Sequence, residues 1–144
     1  YLHIIIRYEL EKEFVDTDNF DFSSLEKRWN SLYKEYLDIE PKNSVEGILQ
    51  DVHWTDTYGY FPTYAIGNAY NAMYLEKMKK EIPVSELLKK GDFLTIKDWM
   101  KEHVFKKASL LPPKDWIRDI AGEDLNPKYF IEYLEEKYKE IYDL

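Results

Sequence analysis

The sequence has 144 residues, a net charge of −8, 44% hydrophobic and 17% aromatic residues, and no cysteine. That is one domain's worth of chain, or part of a larger domain, with enough apolar mass to bury a core. The acidity argues against nucleic acid, because phosphate binding needs a basic stripe. No apolar run approaches the roughly 20 residues that cross a bilayer, so no membrane partner is expected. Without cysteine there are no disulfides, and a cytoplasmic home is expected. A composition rich in Glu, Lys and Tyr with a single Gln leans toward heat stability.

The chain opens on Tyr1-Leu2-His3-Ile4, already inside an apolar pattern and without Met, as a piece of a longer protein would. Leu2, Ile6, Leu10 and Phe14 recur at i+4 and predict a helix over residues 1–15. Its three consecutive isoleucines predict burial on more than one side, and Arg7 sits four residues before Glu11. Ser23-Ser24-Leu25-Glu26 predicts a capping box, followed by a helix that turns Leu25, Trp29, Leu32, Tyr33 and Tyr36 inward. Pro41 and Asn43 end that segment, and Ser44 is expected to cap a short turn through Val45, Ile48 and Leu49. Pro62 suits a first helical turn, and the helix it opens runs to about residue 81. Pro83 breaks the run. A short helix from Val84 to Lys90 stops at Gly91, a helix over 92–107 carries Ile96, Trp99, Met100, His103 and Val104 near its buried side, and Pro112-Pro113 opens another that ends at Gly122. Asn126-Pro127 then caps a last helix with Phe130, Leu134, Tyr138 and Ile141 at i+4. No hairpin signal or repeat is present. The expected fold is all-α, with seven to eight helices and short loops, as a single helical region over 1–144 that forms part of a larger catalytic domain.

Chemistry is concentrated in Gly47-Ile48-Leu49-Gln50-Asp51-Val52-His53-Trp54 and Gly59-Tyr60-Phe61-Pro62-Thr63-Tyr64. Elsewhere there is no His-Glu-x-x-His, no nucleophile elbow and no phosphate loop. His3 and His103 are expected to be helix-face histidines satisfied by neighbours. Within the stretch, Asp51 could orient the His53 ring, and histidine beside Tyr58, Tyr60 and Tyr64 suits a developing oxyanion or a substrate carbonyl. The residues alone leave a second reading open, in which Gln50, Asp51 and His53 cap helix ends and the aromatics pack the core.

The octet Gly47-x-x-Gln50-Asp51-x-His53-Trp54, with Gly59-Tyr60-Phe61-Pro62-Thr63-Tyr64 and Gly67-Asn68 behind it, closely resembles the carboxy-terminal signature of the thermostable carboxypeptidase Taq family of metallocarboxypeptidases. Arg7-Tyr8-Glu9-Leu10-Glu11, Gly91-Asp92-Phe93 and Gly122-Glu123-x-Leu125-Asn126-Pro127 extend the resemblance over essentially the whole chain. It implies a homodimeric, cytoplasmic enzyme that removes single residues from the carboxy termini of peptide substrates. It also implies a zinc or cobalt ion, held by a His-Glu-x-x-His motif and a later Glu that lie upstream of the matched region. This chain would then contain no metal ligand, and would be inactive alone. It implies that His53 with Tyr60 or Tyr64 stabilises the tetrahedral intermediate or grips the substrate, with Gln50, Asp51, Trp54 and Tyr58 as substrate-binding or supporting residues. Arg7 is expected to pair with Glu11 or with another helix. The alternative is a non-catalytic helical interaction or dimerisation domain.

Overall fold

A computed structural model describes residues 1–107 and 109–144, and all of its regular structure is helical. The described residues form seven α-helices: α1 (Leu2–Asp16), α2 (Leu25–Leu37), α3 (Phe61–Glu81), α4 (Val84–Lys90), α5 (Phe93–Met100), α6 (Pro113–Ala121) and α7 (Lys128–Tyr142). The all-α expectation holds. The chain divides into two compact units, Tyr1–Ile66 and Gly67–Leu144.

In the first unit α1 packs against α2. Ile6, Leu10, Trp29, Leu32, Tyr33 and Ile48 form its core, and Leu25, Tyr36 and Trp54 lean on it. Arg28 clasps the Glu13 carboxylate with Nε at 2.9 Å from both oxygens, a fork geometry that also ties α2 to α1. Several local expectations change. Only one side of α1 is covered within this unit: Ile6 and Leu10 are fully buried while Leu2, Ile5 and Tyr8 are exposed, because no other element of the unit reaches that side. The capping box does not form. Asp21 caps instead, accepting the Ser23 N–H at 3.0 Å at the head of a 3₁₀ turn (Phe22–Ser24) that leads into α2. A carboxylate two residues back reaches the free N–H groups directly, and Glu26 is occupied by the Ser44 hydroxyl at 2.6 Å. For the same reason Ser44 caps nothing; Asn43 accepts the Glu46 N–H at 2.9 Å.

The second unit buries Met73, Tyr74, Met78, Val84, Trp99, Val104, Ile117 and Ile120. Gly91 and Gly122 end α4 and α6 at φ +72° and +84°, the left-handed conformation that costs glycine nothing. Asp92 caps α5 by accepting the Thr95 N–H at 3.1 Å. The helix expected over 92–107 is not uniform: past Met100 it widens into a π-helical turn, Lys101–Phe105, closed by the Lys106 N–H on Lys101 O at 3.0 Å. Asn126 accepts the Lys128 N–H at 3.1 Å, as its position before α7 predicts. The predicted stripe of α7 is there, but none of its residues is buried, and Tyr138 and Ile141 are exposed.

Candidate functional site

The site is built in the first unit, where two 3₁₀ turns, Ile48–Gln50 and Val52–Thr55, hand the chain to the start of α3. Asp51 stands between the turns in extended backbone and caps the second, accepting the His53 backbone N–H at 3.0 Å on Oδ1. The same oxygen lies 2.6 Å from His53 Nδ1. A carboxylate that caps a turn thus also grips the side chain two residues on.

Three donors therefore converge on Asp51, because Arg7 Nε donates to its other oxygen, Oδ2. The Asp51 and Arg7 side chains are only 10% and 14% exposed. Burial pushes the Asp51 carboxyl up, but the Arg7 hydrogen bond and charge and the two His53 N–H groups outweigh it and hold it below the usual carboxylate range. Arg7 therefore pairs with Asp51, which stands between two turns, and not with Glu11 or another helix, the two partners the sequence led us to expect. Glu11 turns to the loop, where its buried carboxylate accepts the Gly59 N–H at 2.8 Å. Gly59 has φ +78°, so the turn before Tyr60 needs glycine there.

Arg7 is held from the other side as well. Its Nη1 donates to His3 O at 2.8 Å and to Tyr33 Oη at 3.1 Å, and its guanidinium lies 4.9 Å over the Trp29 ring. With its oxygen accepting from Arg7, Tyr33 gives its O–H to His3 Nδ1 at 3.0 Å. His3 is thereby the satisfied helix-face histidine the sequence implied. Burial first, and the Arg7 charge second, hold its pKa below the ordinary value.

Around His53 the aromatics gather. Tyr60 stacks on the imidazole at 5.4 Å and 18°, and Tyr64 stands edge-on at 5.8 Å with its hydroxyl 2.9 Å from Nε2. A hydrogen bond with Tyr60, then burial and the Asp51 charge, raise the Tyr64 pKa, so its hydroxyl keeps its proton. The tautomer follows. Asp51 is ionised and accepts, so Nδ1 carries the proton. In neutral His53 the Nε2 lone pair is then bare and accepts from Tyr64. Only the imidazolium has an Nε2–H to give. It donates to Tyr64 Oη, and Tyr64 also shares a hydrogen bond with Tyr60.

His53, Asp51, Tyr60 and Tyr64 are thus brought into one partly exposed cluster. Trp54 lies beneath, edge-on to Phe61 at 4.9 Å and to Trp29 at 6.0 Å, as a floor for the loop. Tyr58 is exposed and packs on Phe14 at 5.6 Å, lining a cavity of about 260 Å³ with Tyr8, Glu11, Gly59 and Pro62. Gln50 is exposed at the end of its turn, where its backbone N–H bonds Gly47 O at 3.3 Å. Sequence reasoning missed Arg7 as the partner of Asp51, since 44 residues separate them and no local pattern links them. Among the described residues there is no group of three or more His, Cys, Asp or Glu able to hold a metal ion.

The sequence profile of the Carboxypeptidase Taq (M32) metallopeptidase family matches residues 1–138. Carboxypeptidase 1 of Bacillus subtilis is 44% identical over 143 residues, 98% of this chain and 28% of its own length. Thermostable carboxypeptidase 1 of Pyrococcus furiosus is 38% identical over 138 residues, 94% of this chain and 28% of its own length. Among solved structures, the carboxypeptidase of the same family from Deinococcus radiodurans superposes with a TM-score of 0.91 at 29% identity, covering 99% of this chain and 29% of that one. The chain therefore spans a little over a quarter of the length of these relatives.

Proposed function

Since this chain belongs to the carboxypeptidase Taq family of metallopeptidases, we propose that it is the carboxy-terminal part of a metal-dependent carboxypeptidase, which removes single residues from the carboxy termini of peptides. The observation that carries the reading is the convergence of Tyr60 and Tyr64 on His53, with the tautomer fixed by Asp51. A set of proton donors held by a rigid floor is what stabilises charge that appears only in the transition state. In this reading His53 and a tyrosine beside it, Tyr64 or Tyr60, donate hydrogen bonds to the oxyanion as the peptide carbonyl turns tetrahedral. Asp51 balances the imidazolium charge.

The family implies a divalent metal, which supplies Lewis-acid polarisation and an activated water when bound. The residues described here do not form a site for it, and the 144-residue sequence lacks the His-Glu-x-x-His motif. We assign its ligands to residues outside this chain, with zinc or cobalt as the ion. The same reading takes the whole protein as a cytoplasmic, heat-stable homodimer and the 144 residues alone as inactive. A purely structural interaction domain is not favoured, since the relatives along the whole chain are carboxypeptidases.

The test is to give the full-length, metal-loaded enzyme a peptide with a free carboxy terminus and the same peptide amidated, and to follow products by mass. Stepwise loss of single residues from the free peptide only is expected, abolished by a chelator. Internal cleavage, or equal attack on the amide, would overturn the proposal.

A further inference from the structure

We infer that Arg7 is a positioning residue for the His53–Tyr64 pair and acts through Asp51. This rests on the reading of that pair as donors to the oxyanion. Asp51 Oδ1 takes both His53 N–H groups, at 3.0 and 2.6 Å, and Arg7 Nε takes Oδ2. The guanidinium thus fixes the oxygen that His53 does not use, so the carboxylate cannot rotate away from Nδ1.

Arg7 can act as an anchor because it is itself anchored. Nη1 bonds His3 O and Tyr33 Oη, at 2.8 and 3.1 Å, and the plane rests on Trp29, which is fully buried and stacked on Tyr33 at 4.5 Å. These partners come from the packed helices α1 and α2, while Asp51 and His53 lie on turns. Arg7 therefore transmits the order of the helix pair to the loop. Its Nε and Nη1 are committed to protein acceptors, and its side chain is 14% exposed, so it is poorly placed to grip a substrate carboxylate.

The experiment uses the full-length, metal-loaded enzyme with Arg7→Gln, Arg7→Lys, Asp51→Asn, the Arg7→Gln/Asp51→Asn double variant and His53→Ala. Arg7→Gln should lower kcat about 10- to 100-fold, the range for a supporting partner one step behind the chemistry, with KM little changed. The double variant should fall no further than Asp51→Asn alone. Losses that multiply, or a rise in KM at unchanged kcat, would overturn the inference. Circular dichroism and thermal midpoints monitor folding. If Arg7→Gln fails to fold, Arg7→Lys, which keeps the charge and loses the fork, carries the same test: its loss must vanish in the Asp51→Asn background. If His53→Ala keeps full turnover, the donor reading itself falls and this inference with it. If His53→Ala is slow while the Arg7 variants match the wild type, only this inference falls.

Discussion

Two histidines in this chain have the same company and different circumstances. His53 in the first unit and His103 in the second each stack on an aromatic ring, at 5.4 and 4.3 Å, and each faces a carboxylate. His53 takes its carboxylate from a side chain that is 10% exposed and held by an arginine from another element. His103 spends Nδ1 on the Trp99 carbonyl of the preceding turn, at 2.9 Å, and looks at Glu81 across 3.4 Å. Glu81 is 33% exposed, and the Trp99 indole N–H first, then Lys77, hold its pKa below the ordinary value. The His103 arrangement ties a widened helical turn to its neighbour. The His53 arrangement orients a ring on a loop and leaves the far nitrogen to a tyrosine. Residue types do not separate the two cases; the range and burial of the partners do.

That comparison can be broken at several points. The largest expected effect is on stability. Trp29→Ala removes a fully buried ring that carries Arg7 on its face, and should cost about 3–5 kcal/mol in chemical denaturation, the usual toll for emptying an aromatic site. Tyr64→Phe deletes the hydroxyl beside Nε2 and should lower kcat about 100-fold in steady-state assays of the full-length enzyme, without loss of fold. Asp51→Asn should lower kcat about 10- to 100-fold and change the acid limb of stability. The Asp51 pKa is depressed by folding, so its ionised form stabilises the fold above the ordinary carboxylate value of about 4. That contribution is lost as pH falls through the lower folded value. Thermal midpoints followed from neutral pH into acid should therefore fall less steeply in Asp51→Asn than in the wild type. The smallest effect is reserved for His103→Ala, expected to cost about 1 kcal/mol for one lost hydrogen bond and to leave turnover near wild type.

Much of this was legible in the sequence, and what was not follows a pattern. Helices with i+4 apolar spacing, the glycines at 91 and 122, Pro62 in the first turn of α3 and Asn126 before α7 all act through neighbours within four residues, and each was readable. The gathering of His53, Tyr60 and Tyr64 was readable too, because Tyr60 stands just before the start of α3 and Tyr64 lies in its first turn. Competition between nearby polar groups was not. Asp21 took the capping role expected of Ser23, and Asn43 took the place of Ser44, because the geometry of a few ångströms decides which oxygen reaches an N–H. Long-range pairing was invisible for a different reason. Arg7 finds Asp51 and Glu11 finds Gly59 only once α1 has docked on α2 and the turns have closed. The i+4 spacing of Arg7 and Glu11 made them candidate partners on one helix face, but burial gave each a stronger claim elsewhere. The uncovered faces of α1 and α7 were equally unreadable, since periodicity says that a face is apolar without saying what covers it.

The central claim is that His53 acts on the reaction while His103 only holds structure. Turnover of His53→Ala and His103→Ala, measured side by side in the full-length, metal-loaded enzyme, tests it most directly. A loss of about 100- to 1,000-fold in kcat at little-changed KM is predicted for His53→Ala, with His103→Ala close to the wild type. Equal turnover in the two variants would contradict the account.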